Sequence, residues 1–242
     1  MIEIFEKKDD TRNGTDLFFD GHIDLELNKT SLLDSLITEL TVLDNLDLND
    51  HRDFKSSYGN THDLKVESDL NYRLIELLFD QKIPERINAI AGKRYVLGDL
   101  VLRKSRSEKS YMPWHRDTYL DRNRELVGRV PPLLKVIYYP HLDVKTNHEL
   151  SVLTGSTKRI AKNYIIDKLQ RFFFKEKKIY QSNSKIILFD SSIIHSAIPS
   201  PMESKGSFRL IFNFCDESQV GTFLKGKKLN EIFQKLEDIH RL

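Results

Sequence analysis

The spacing of apolar residues changes near residue 90, and this change divides the predicted structure into two parts. Before it, residues 30–44 and 68–83 repeat leucine or isoleucine at intervals of three and four, which is the spacing of an amphipathic helix. A serine or threonine stands where each helix would begin and can cap it. The segment between them is polar and has no periodicity, so residues 45–64 are predicted to form a mobile surface loop.

After residue 90 the apolar residues fall into short runs that are rich in β-branched and aromatic side chains and bounded by turn formers. These runs predict strands at 95–105, 132–140, 149–154, 185–190 and 207–214. Helices are expected here only over 158–174 and 228–240. Many short strands without alternating helices favour an antiparallel sandwich or barrel. The predicted fold class is therefore mainly β with flanking helices, a double-sheet jelly roll with the helices packed outside.

The length of 242 residues fits one domain of this class, and an apolar fraction of 39% is enough for a sizeable core. We predict a single domain with three parts. Residues 1–86 form a mixed, helical part that packs on the barrel, 87–215 form the jelly-roll core, and 216–242 carry a C-terminal helix.

Charge and cysteine content exclude several classes of partner. The net charge of +2 gives no basic face of the kind that nucleic acid requires. The single cysteine, Cys215, excludes an internal disulfide or a cysteine-rich zinc site, and it suits a reducing compartment. The sequence shows neither a signal peptide nor an apolar stretch of membrane-spanning length. We therefore expect a cytoplasmic protein that binds a small molecule, in an oligomeric state that the sequence does not decide.

Histidine and aspartate two residues apart, followed by a distant histidine, form the metal triad of non-haem iron(II) oxygenases. Two neutral imidazoles and one carboxylate bind Fe(II) on one face and leave the other open for a co-substrate and O2. Residues i and i+2 of a strand point to the same side, about 6.5 Å apart, so both can reach one ion. The spacing occurs four times here, at His22–Asp24, His51–Asp53, His115–Asp117 and His141–Asp143.

Position along the chain separates these four pairs. His51–Asp53 lies in the polar segment, and His22–Asp24 has the pattern of a strand with one polar face ahead of the β-rich region. His141–Asp143 follows an apolar strand where a turn is expected. His115–Asp117 follows a predicted strand, and 80 residues later His195 ends another apolar strand. We predict that His115, Asp117 and His195 bind the metal.

Arg209 lies inside the apolar run 207–214, on the face that alternation assigns to Ile211 and Asn213. A buried arginine is costly without an anion. Its guanidinium can bind a carboxylate through two parallel hydrogen bonds, and the far carboxylate of 2-oxoglutarate is the predicted partner. An internal salt bridge to an acidic side chain is the alternative.

These residues resemble the phytanoyl-CoA dioxygenase family of 2-oxoglutarate oxygenases over residues 87–215. The matching segments are the metal-binding strand at 112–120, a loop with a Gly-Ser pair at 138–159, the second-histidine strand at 189–200 and the arginine strand at 207–214. The match places His141–Asp143 in the loop and removes this pair as a ligand candidate. The resemblance implies a double-stranded β-helix of the cupin type, and Fe(II) with 2-oxoglutarate and O2.

The resemblance also carries expectations about the reaction. It implies that oxidation of a second substrate accompanies decarboxylation of 2-oxoglutarate to succinate. Asp117 fills the position that halogenating relatives leave empty, so hydroxylation or desaturation is favoured. Family members often place a hydroxyl residue two positions past the second histidine, where this chain has Ala197. Ser196, beside it, is the remaining candidate for a second 2-oxoglutarate contact.

Further residues are predicted to surround the substrate because they lie near the triad or on the arginine's side of the barrel. They are Trp114, Thr118, Tyr119, Arg103 and Asn213. The polar segment 45–64 is a candidate lid, because it is long and lies between the two predicted helices.

Three other functions are weighed against this one. His-Arg-Asp also opens the protein-kinase catalytic loop, but Arg122 stands where that loop requires asparagine, and no Gly-rich loop or Asp-Phe-Gly is present. A cupin-type oxygenase that does not use 2-oxoglutarate would have no need of Arg209. A non-catalytic binding protein on the same scaffold would have no physical reason to keep three convergent ligands.

Overall fold

The computed structural model describes residues 17, 21–44, 54–56, 61–64, 68–105, 112–117, 133–140, 148–158, 164–180, 182–197, 207–219 and 227–240. The helices in these residues are α1 (Ser31–Asp44), α2 (Ser68–Asp80), α3 (Ile83–Ala91), α4 (Tyr164–Gln170) and α5 (Lys227–His240). The strands are β1 (His22–Glu26), β2 (Phe54–Ser56), β3 (Thr61–Leu64), β4 (Tyr95–Ser105), β5 (Met112–His115), β6 (Leu134–Tyr138), β7 (His148–Leu153), β8 (Glu176–Tyr180), β9 (Lys185–Asp190), β10 (His195–Ala197) and β11 (Ser207–Asp216). Short 3-10 helices span Ser156–Lys158, Arg171–Phe173 and Glu217–Gln219.

The strands form two sheets. The larger sheet has seven strands in the order β1-β9-β6-β11-β4-β3-β2, and the smaller has four in the order β5-β10-β7-β8. Every strand pair in both sheets is antiparallel. The predicted fold class, a mainly β double-sheet jelly roll with flanking helices, is confirmed.

Two apolar clusters hold the layers together. The larger cluster joins helices α1, α2, α3 and α5 to the outer face of the seven-stranded sheet. The smaller cluster lies between the sheets and consists of Ile137, Tyr139, Leu150, Val152, Ile179, Ile187, Phe189, Ile193 and Ile211. Alternation along β11 divides its side chains between the two clusters. Because Ile211 faces the smaller sheet, its alternate neighbours Arg209 and Asn213 face the same interior.

The helices agree with the sequence pattern except at one break. Helix α1 begins as predicted, and the Leu33 N–H donates to Thr30 Oγ1 (3.2 Å) as an N-terminal cap. The helix predicted over 68–83 is confirmed as α2, which ends three residues earlier, and α3 is a separate helix that was not predicted. Lys82 adopts a left-handed backbone conformation (φ 53°), and Pro84 lies in the first turn of α3, where a missing N–H costs nothing.

The polar segment 45–64 also differs from the prediction. Strands β2 and β3 pair with each other, and β3 adds to β4 in the seven-stranded sheet. Asp63 of β3 accepts two hydrogen bonds from Arg103 of β4 (2.6 and 2.9 Å). Main-chain pairing and this ion pair hold the hairpin without apolar alternation. The prediction of a mobile loop and lid is therefore wrong for residues 54–56 and 61–64.

The remaining differences are small. The helix predicted over 158–174 is shorter, since α4 spans seven residues and is followed by a 3-10 turn. The C-terminal helix is confirmed as α5, and the expectation that His22–Asp24 lies in a strand is confirmed by β1. Among the helices of the described segments, none is both long and apolar enough to cross a membrane.

Gly21, just before β1, touches the turn that leads into β10. Its φ is +82°, and an added Cβ would lie 1.7 Å from Cδ1 of buried Ile193. We expect Gly21→Ala to lower the free energy of unfolding by about 1–3 kcal/mol, measured by urea titration. Gly92 has a similar φ of +68° with nothing within 4 Å of an added Cβ, so Gly92→Ala is the matched control. If the two variants lose the same free energy of unfolding, the contact between the added methyl group and Ile193 has no energetic cost.

Candidate metal centre

The three predicted ligands converge at the junction of two paired strands. His115 ends β5, Asp117 follows two residues later, and His195 begins β10 directly opposite His115. One potential ligand atom from each lies within 4.8 Å of the others. Within the described segments, no other group of three histidine, cysteine or acidic residues meets in this way.

Backbone hydrogen bonds fix the orientation of both imidazoles. The Nδ1–H of His115 donates to the Pro113 carbonyl (2.6 Å), and the Nδ1–H of His195 donates to the Ile193 carbonyl (3.0 Å). A neutral imidazole with hydrogen on Nδ1 keeps its lone pair on Nε2. The Nε2 atoms lie 3.6 Å and 3.2 Å, respectively, from the carboxylate oxygens of Asp117. Metal-binding histidines are commonly oriented by such a bond from the second ring nitrogen.

The charge states also suit a metal. Burial alone would raise the pKa of Asp117, but the positive charge of the Lys135 ammonium is the largest opposing effect, and the pKa lies well below its usual range. Burial lowers the pKa of His195 from its ordinary value, although Asp117 opposes this effect. Asp117 is therefore ionised and His195 neutral near pH 7, which are the protonation states that metal binding requires.

The donor set fits a divalent transition metal. Two imidazole nitrogens and one carboxylate are the ligands of facial-triad iron sites, which leave other positions open. A closed structural zinc site would need a fourth protein ligand. The His115 Nε2 atom is buried and has no hydrogen-bond partner in the described segments, as expected for an atom whose partner is a metal ion.

Arg116, between two of the ligands, anchors the metal-binding segment from its opposite side. Its side chain is buried, and its Nε donates to Asp167 of α4 (2.7 Å). Its Nη1 donates to the Ser156 carbonyl (2.9 Å) and to the Ser192 carbonyl. These bonds tie the His-x-Asp segment to α4, to a 3-10 turn and to the turn before β10. The sequence analysis did not assign Arg116 a role.

Two further hydrogen bonds position the segments that carry the ligands. The Asp117 N–H donates to the Ser191 carbonyl (3.1 Å), which fixes Asp117 against the turn before β10. Ser156 belongs to the Gly-Ser pair of the resembling loop, and its Oγ accepts the Ile194 N–H (2.8 Å), next to His195. Ser156 thus supports the candidate metal site through the main chain next to His195.

Lys135 is a second residue that the sequence analysis missed. It lies on β6, and its Nζ is 2.7 Å from Asp117 Oδ2 and 6.0 Å from the centre of the Phe189 ring. Its neighbours across the sheet are Phe189 on β9 and Asn213 on β11. Alternation within the run LKVIY places Lys135 on the same face as the apolar Ile137. A lysine on a buried face is the sequence feature that could have identified it.

Arg209 is buried on the face of β11 that lines the space between the sheets, with a fractional exposure of 3%. Arg103 lies directly opposite Arg209 on β4, and its Nε and Nη2 both donate hydrogen bonds to the Asp63 carboxylate. Asn213 lies on the same face, and its Oδ1 is buried without a hydrogen-bond partner among the described residues. The interior face therefore carries two guanidinium groups and a polar acceptor.

The other predicted site residues receive less support from their positions. Ser196 is buried beside His195, and alternation along β10 turns its hydroxyl toward the opposite face. Trp114 is half-buried, and because it directly precedes His115 in β5, alternation turns its side chain toward the face opposite to that of His115. Their contacts with co-substrate or substrate stay predictions. Thr118 and Tyr119 lie outside the described residues, as do His51–Asp53 and His141–Asp143.

Several solved structures are similar to this chain in fold. HygX from Streptomyces hygroscopicus, with nickel and 2-oxoglutarate bound, has a TM-score of 0.62 at 11% identity over 86% of this chain and 88% of its own. SnoN, a non-haem α-ketoglutarate-dependent epimerase from nogalamycin biosynthesis, has 0.59 at 12% over 83% and 80%. EctD from S. alaskensis, with 2-oxoglutarate and 5-hydroxyectoine, has 0.58 at 13% over 90% and 84%.

Sequence comparison adds nothing to this structural likeness. No family model matches the chain, and no curated protein matches its sequence. At these identities the solved structures establish the fold alone. The chain therefore has the jelly-roll fold found in these 2-oxoglutarate enzymes, and its resemblance to the phytanoyl-CoA dioxygenase family stays a prediction.

Proposed function

We propose that the protein is an Fe(II)- and 2-oxoglutarate-dependent dioxygenase that hydroxylates a small molecule and forms succinate and CO2. The observation that carries the proposal is the convergence of His115, Asp117 and His195, with both Nε2 atoms directed at the carboxylate. The buried Arg209 on the interior face supplies a cation for the co-substrate. The proposed cofactors are Fe(II), 2-oxoglutarate and O2.

The solved neighbours support the cofactors and the size of the substrate. SnoN has been solved with Fe3+, α-ketoglutarate and nogalamycin RO, and HygX with nickel, 2-oxoglutarate and hygromycin B. The organic ligands in these structures are all small molecules. The same fold also includes the epimerase SnoN and the carbocyclase SnoK, so the fold does not choose the reaction. Hydroxylation is proposed from the resemblance and from the presence of the Asp117 carboxylate.

Each residue has a distinct role in this proposal. His115 and His195 provide neutral nitrogen donors, and Asp117 provides a negative charge that offsets part of the metal's charge. Fe(II), when bound, would activate O2, and the electrons that reduce O2 would come from 2-oxoglutarate and from the substrate. Arg209 binds the far carboxylate of 2-oxoglutarate through its guanidinium. The apolar side chains between the sheets exclude water from the reacting groups.

The Arg209 assignment is tested by the thermal stability of the protein with Mn(II) in place of Fe(II). A ligand that binds the native state raises the melting temperature, so 2-oxoglutarate should stabilise the wild-type protein. Arg209→Met removes one partner of a buried charge pair and should weaken 2-oxoglutarate binding by about 30-fold or more. Most of the shift should then be lost at the same concentration.

Arg86→Met is the matched control, because the Arg86 guanidinium donates to the Glu26 carbonyl at the surface (3.0 Å). It should keep the wild-type shift. An equal shift in the Arg209 variant would exclude Arg209 as the co-substrate residue. If the wild-type protein binds Mn(II) but shows no shift with 2-oxoglutarate, the cupin-type oxygenase without 2-oxoglutarate becomes the better assignment.

A further inference from the structure

The Lys135 ammonium contacts the carboxylate that is proposed to bind the metal, so a bound metal would change the electrostatic surroundings of the ammonium. Its Nζ contacts Asp117 Oδ2 at 2.7 Å, the same oxygen that lies 3.2 Å from His195 Nε2. The Lys135 side chain is 17% exposed and that of Asp117 is 19% exposed, so solvent screens the pair only in part. Without a metal, the lysine is the cation that neutralises the metal-binding carboxylate.

A divalent metal held by Asp117 disturbs this arrangement. The metal competes for the carboxylate, and as a second cation it repels the ammonium across a short distance. A lysine in this position therefore opposes metal binding unless an anion joins the site. The three predicted ligands provide only one negative charge against the two of the metal and the one of Lys135.

The structure offers the ammonium other groups on the same interior face. Asn213 lies directly opposite Lys135 on β11, and its buried Oδ1 has no hydrogen-bond partner within the described residues. Arg209 lies four residues from Asn213 on the same strand, about 13 Å along it. Lys135 and Arg209 thus lie on one interior face of the seven-stranded sheet, and Lys135 is in contact with Asp117.

From this arrangement we propose that Lys135 is the second cation of a dianion site and couples metal binding to co-substrate binding. In the metal-free protein it pairs with Asp117. When metal binds, it releases Asp117 and donates to the carboxylate of the 2-oxo acid next to the metal, while Arg209 binds the far carboxylate. The inference rests on the proposed function, because it requires a metal and a 2-oxo dicarboxylate in this site.

This arrangement has a measurable thermodynamic consequence. Metal and 2-oxoglutarate each raise the protein's affinity for the other, and by linkage the two factors are equal. Lys135 enlarges that factor, because it repels the metal when alone and attracts the anion when the metal is present. Removal of its charge should strengthen metal binding in the absence of 2-oxoglutarate and weaken the coupling.

The experiment is a calorimetric titration of the full-length protein with Mn(II), with and without saturating 2-oxoglutarate. Close charge pairs change affinities by about tenfold or more. Lys135→Met should therefore bind Mn(II) about tenfold or more tightly without 2-oxoglutarate, and 2-oxoglutarate should raise its Mn(II) affinity by a smaller factor than in wild type. Lys135→Arg keeps the charge and should restore the wild-type coupling.

Lys185→Met is a closely matched control. Lys185 is also 17% exposed and pairs with Asp24 (2.5 Å), the carboxylate of a His-x-Asp pair outside the metal centre. This variant should leave both Mn(II) titrations unchanged. Lys135→Gln, which has a neutral polar side chain, replaces Lys135→Met if the latter does not fold, and the same result is expected.

A monocarboxylate separates the two cations. 2-Oxobutyrate has the carboxylate next to the keto group and lacks the far one. Its coupling to Mn(II) should fall in Lys135→Met and stay unchanged in Arg209→Met, whereas coupling by 2-oxoglutarate should fall in both variants.

Two outcomes would overturn the inference in distinguishable ways. If wild type shows coupling and Lys135→Met shows the same coupling with unchanged or weaker Mn(II) binding, Lys135 only orients Asp117, and the proposed function stands. If wild type binds Mn(II) but 2-oxoglutarate does not change that affinity, the proposed function and this inference fail together.

Discussion

Replacing Asp117 by alanine is expected to abolish high-affinity metal binding. Groups that merely hydrogen-bond to metal ligands are worth about 10–100-fold in metal affinity, so loss of the Asp117 carboxylate, a proposed ligand itself, should exceed about 100-fold. The variant also leaves the Lys135 ammonium, 2.7 Å away, without the anion that it contacts. Calorimetric titration with Mn(II), after the fold has been verified by circular dichroism, measures the change.

Asp24→Ala is the control for this prediction. Asp24 also follows a histidine by two residues and also pairs with a lysine, Lys185. Its side chain is 36% exposed, against 19% for Asp117, and among the described residues no third potential ligand completes a metal cluster with His22 and Asp24. The Asp24 variant should bind Mn(II) like wild type. Comparable losses in the two variants would mean that the His115, Asp117 and His195 cluster is not the metal site.

Arg116→Met is expected to cause the largest loss of stability among the predicted variants. Removing one partner of a buried ion pair costs about 3–5 kcal/mol, because the other charge stays buried without compensation. Here the Asp167 carboxylate would lose its 2.7 Å partner, and the Ser156 and Ser192 carbonyls would lose a donor. Urea unfolding should show this loss, and Mn(II) binding should weaken because Arg116 anchors both neighbouring ligands.

Two further variants separate the cause of the loss. Arg171→Met changes an arginine close to α4 whose guanidinium lies over the Phe172 ring, 4.7 Å from its centre, and it should cost far less. The double variant Arg116→Met with Asp167→Leu replaces the ion pair by apolar groups and should recover part of the stability. No recovery would indicate that the carbonyl contacts, and not the carboxylate, account for the loss.

The meeting of His115 with Asp117 could be predicted from the sequence because it is local. The i and i+2 spacing places both on one side of an extended segment, and His195, 80 residues after His115, joins them through the pairing of β10 with β5. Four His-x-Asp pairs made the motif ambiguous, and position relative to the strands favoured His115–Asp117. The structure then placed His22–Asp24 in β1 beside Lys185, away from any such cluster among the described residues.

Other parts of the site depend on tertiary partners that no local pattern encodes. Arg116 acts through Ser156, Asp167 and Ser192, which lie 40, 51 and 76 residues away in the sequence. Lys135 could have been noticed by the same alternation that identified Arg209, because both interrupt apolar strands. Its contact with Asp117 nevertheless depends on the packing of two sheets, which alternation does not specify.

The fold itself shows the same division. Amphipathic and alternating patterns identified α1, α5 and the long central strands, since burial of one face leaves a clear periodicity. Strands β2 and β3 were not predicted, because main-chain pairing and the Asp63–Arg103 ion pair hold them. Neither interaction requires apolar residues to alternate along the sequence. The break between α2 and α3 lies at Lys82, whose left-handed conformation has no signature in a lysine side chain.

The most direct test of the central claim is the visible spectrum of the purified protein with Fe(II) and 2-oxoglutarate in the absence of O2. Chelation of Fe(II) by the 2-oxo acid should give a weak charge-transfer band in wild type. The band should be absent in His195→Ala and should require far more 2-oxoglutarate in Arg209→Met. A wild-type protein that binds Fe(II) but develops no band at saturating 2-oxoglutarate would contradict the assignment as a 2-oxoglutarate-dependent dioxygenase.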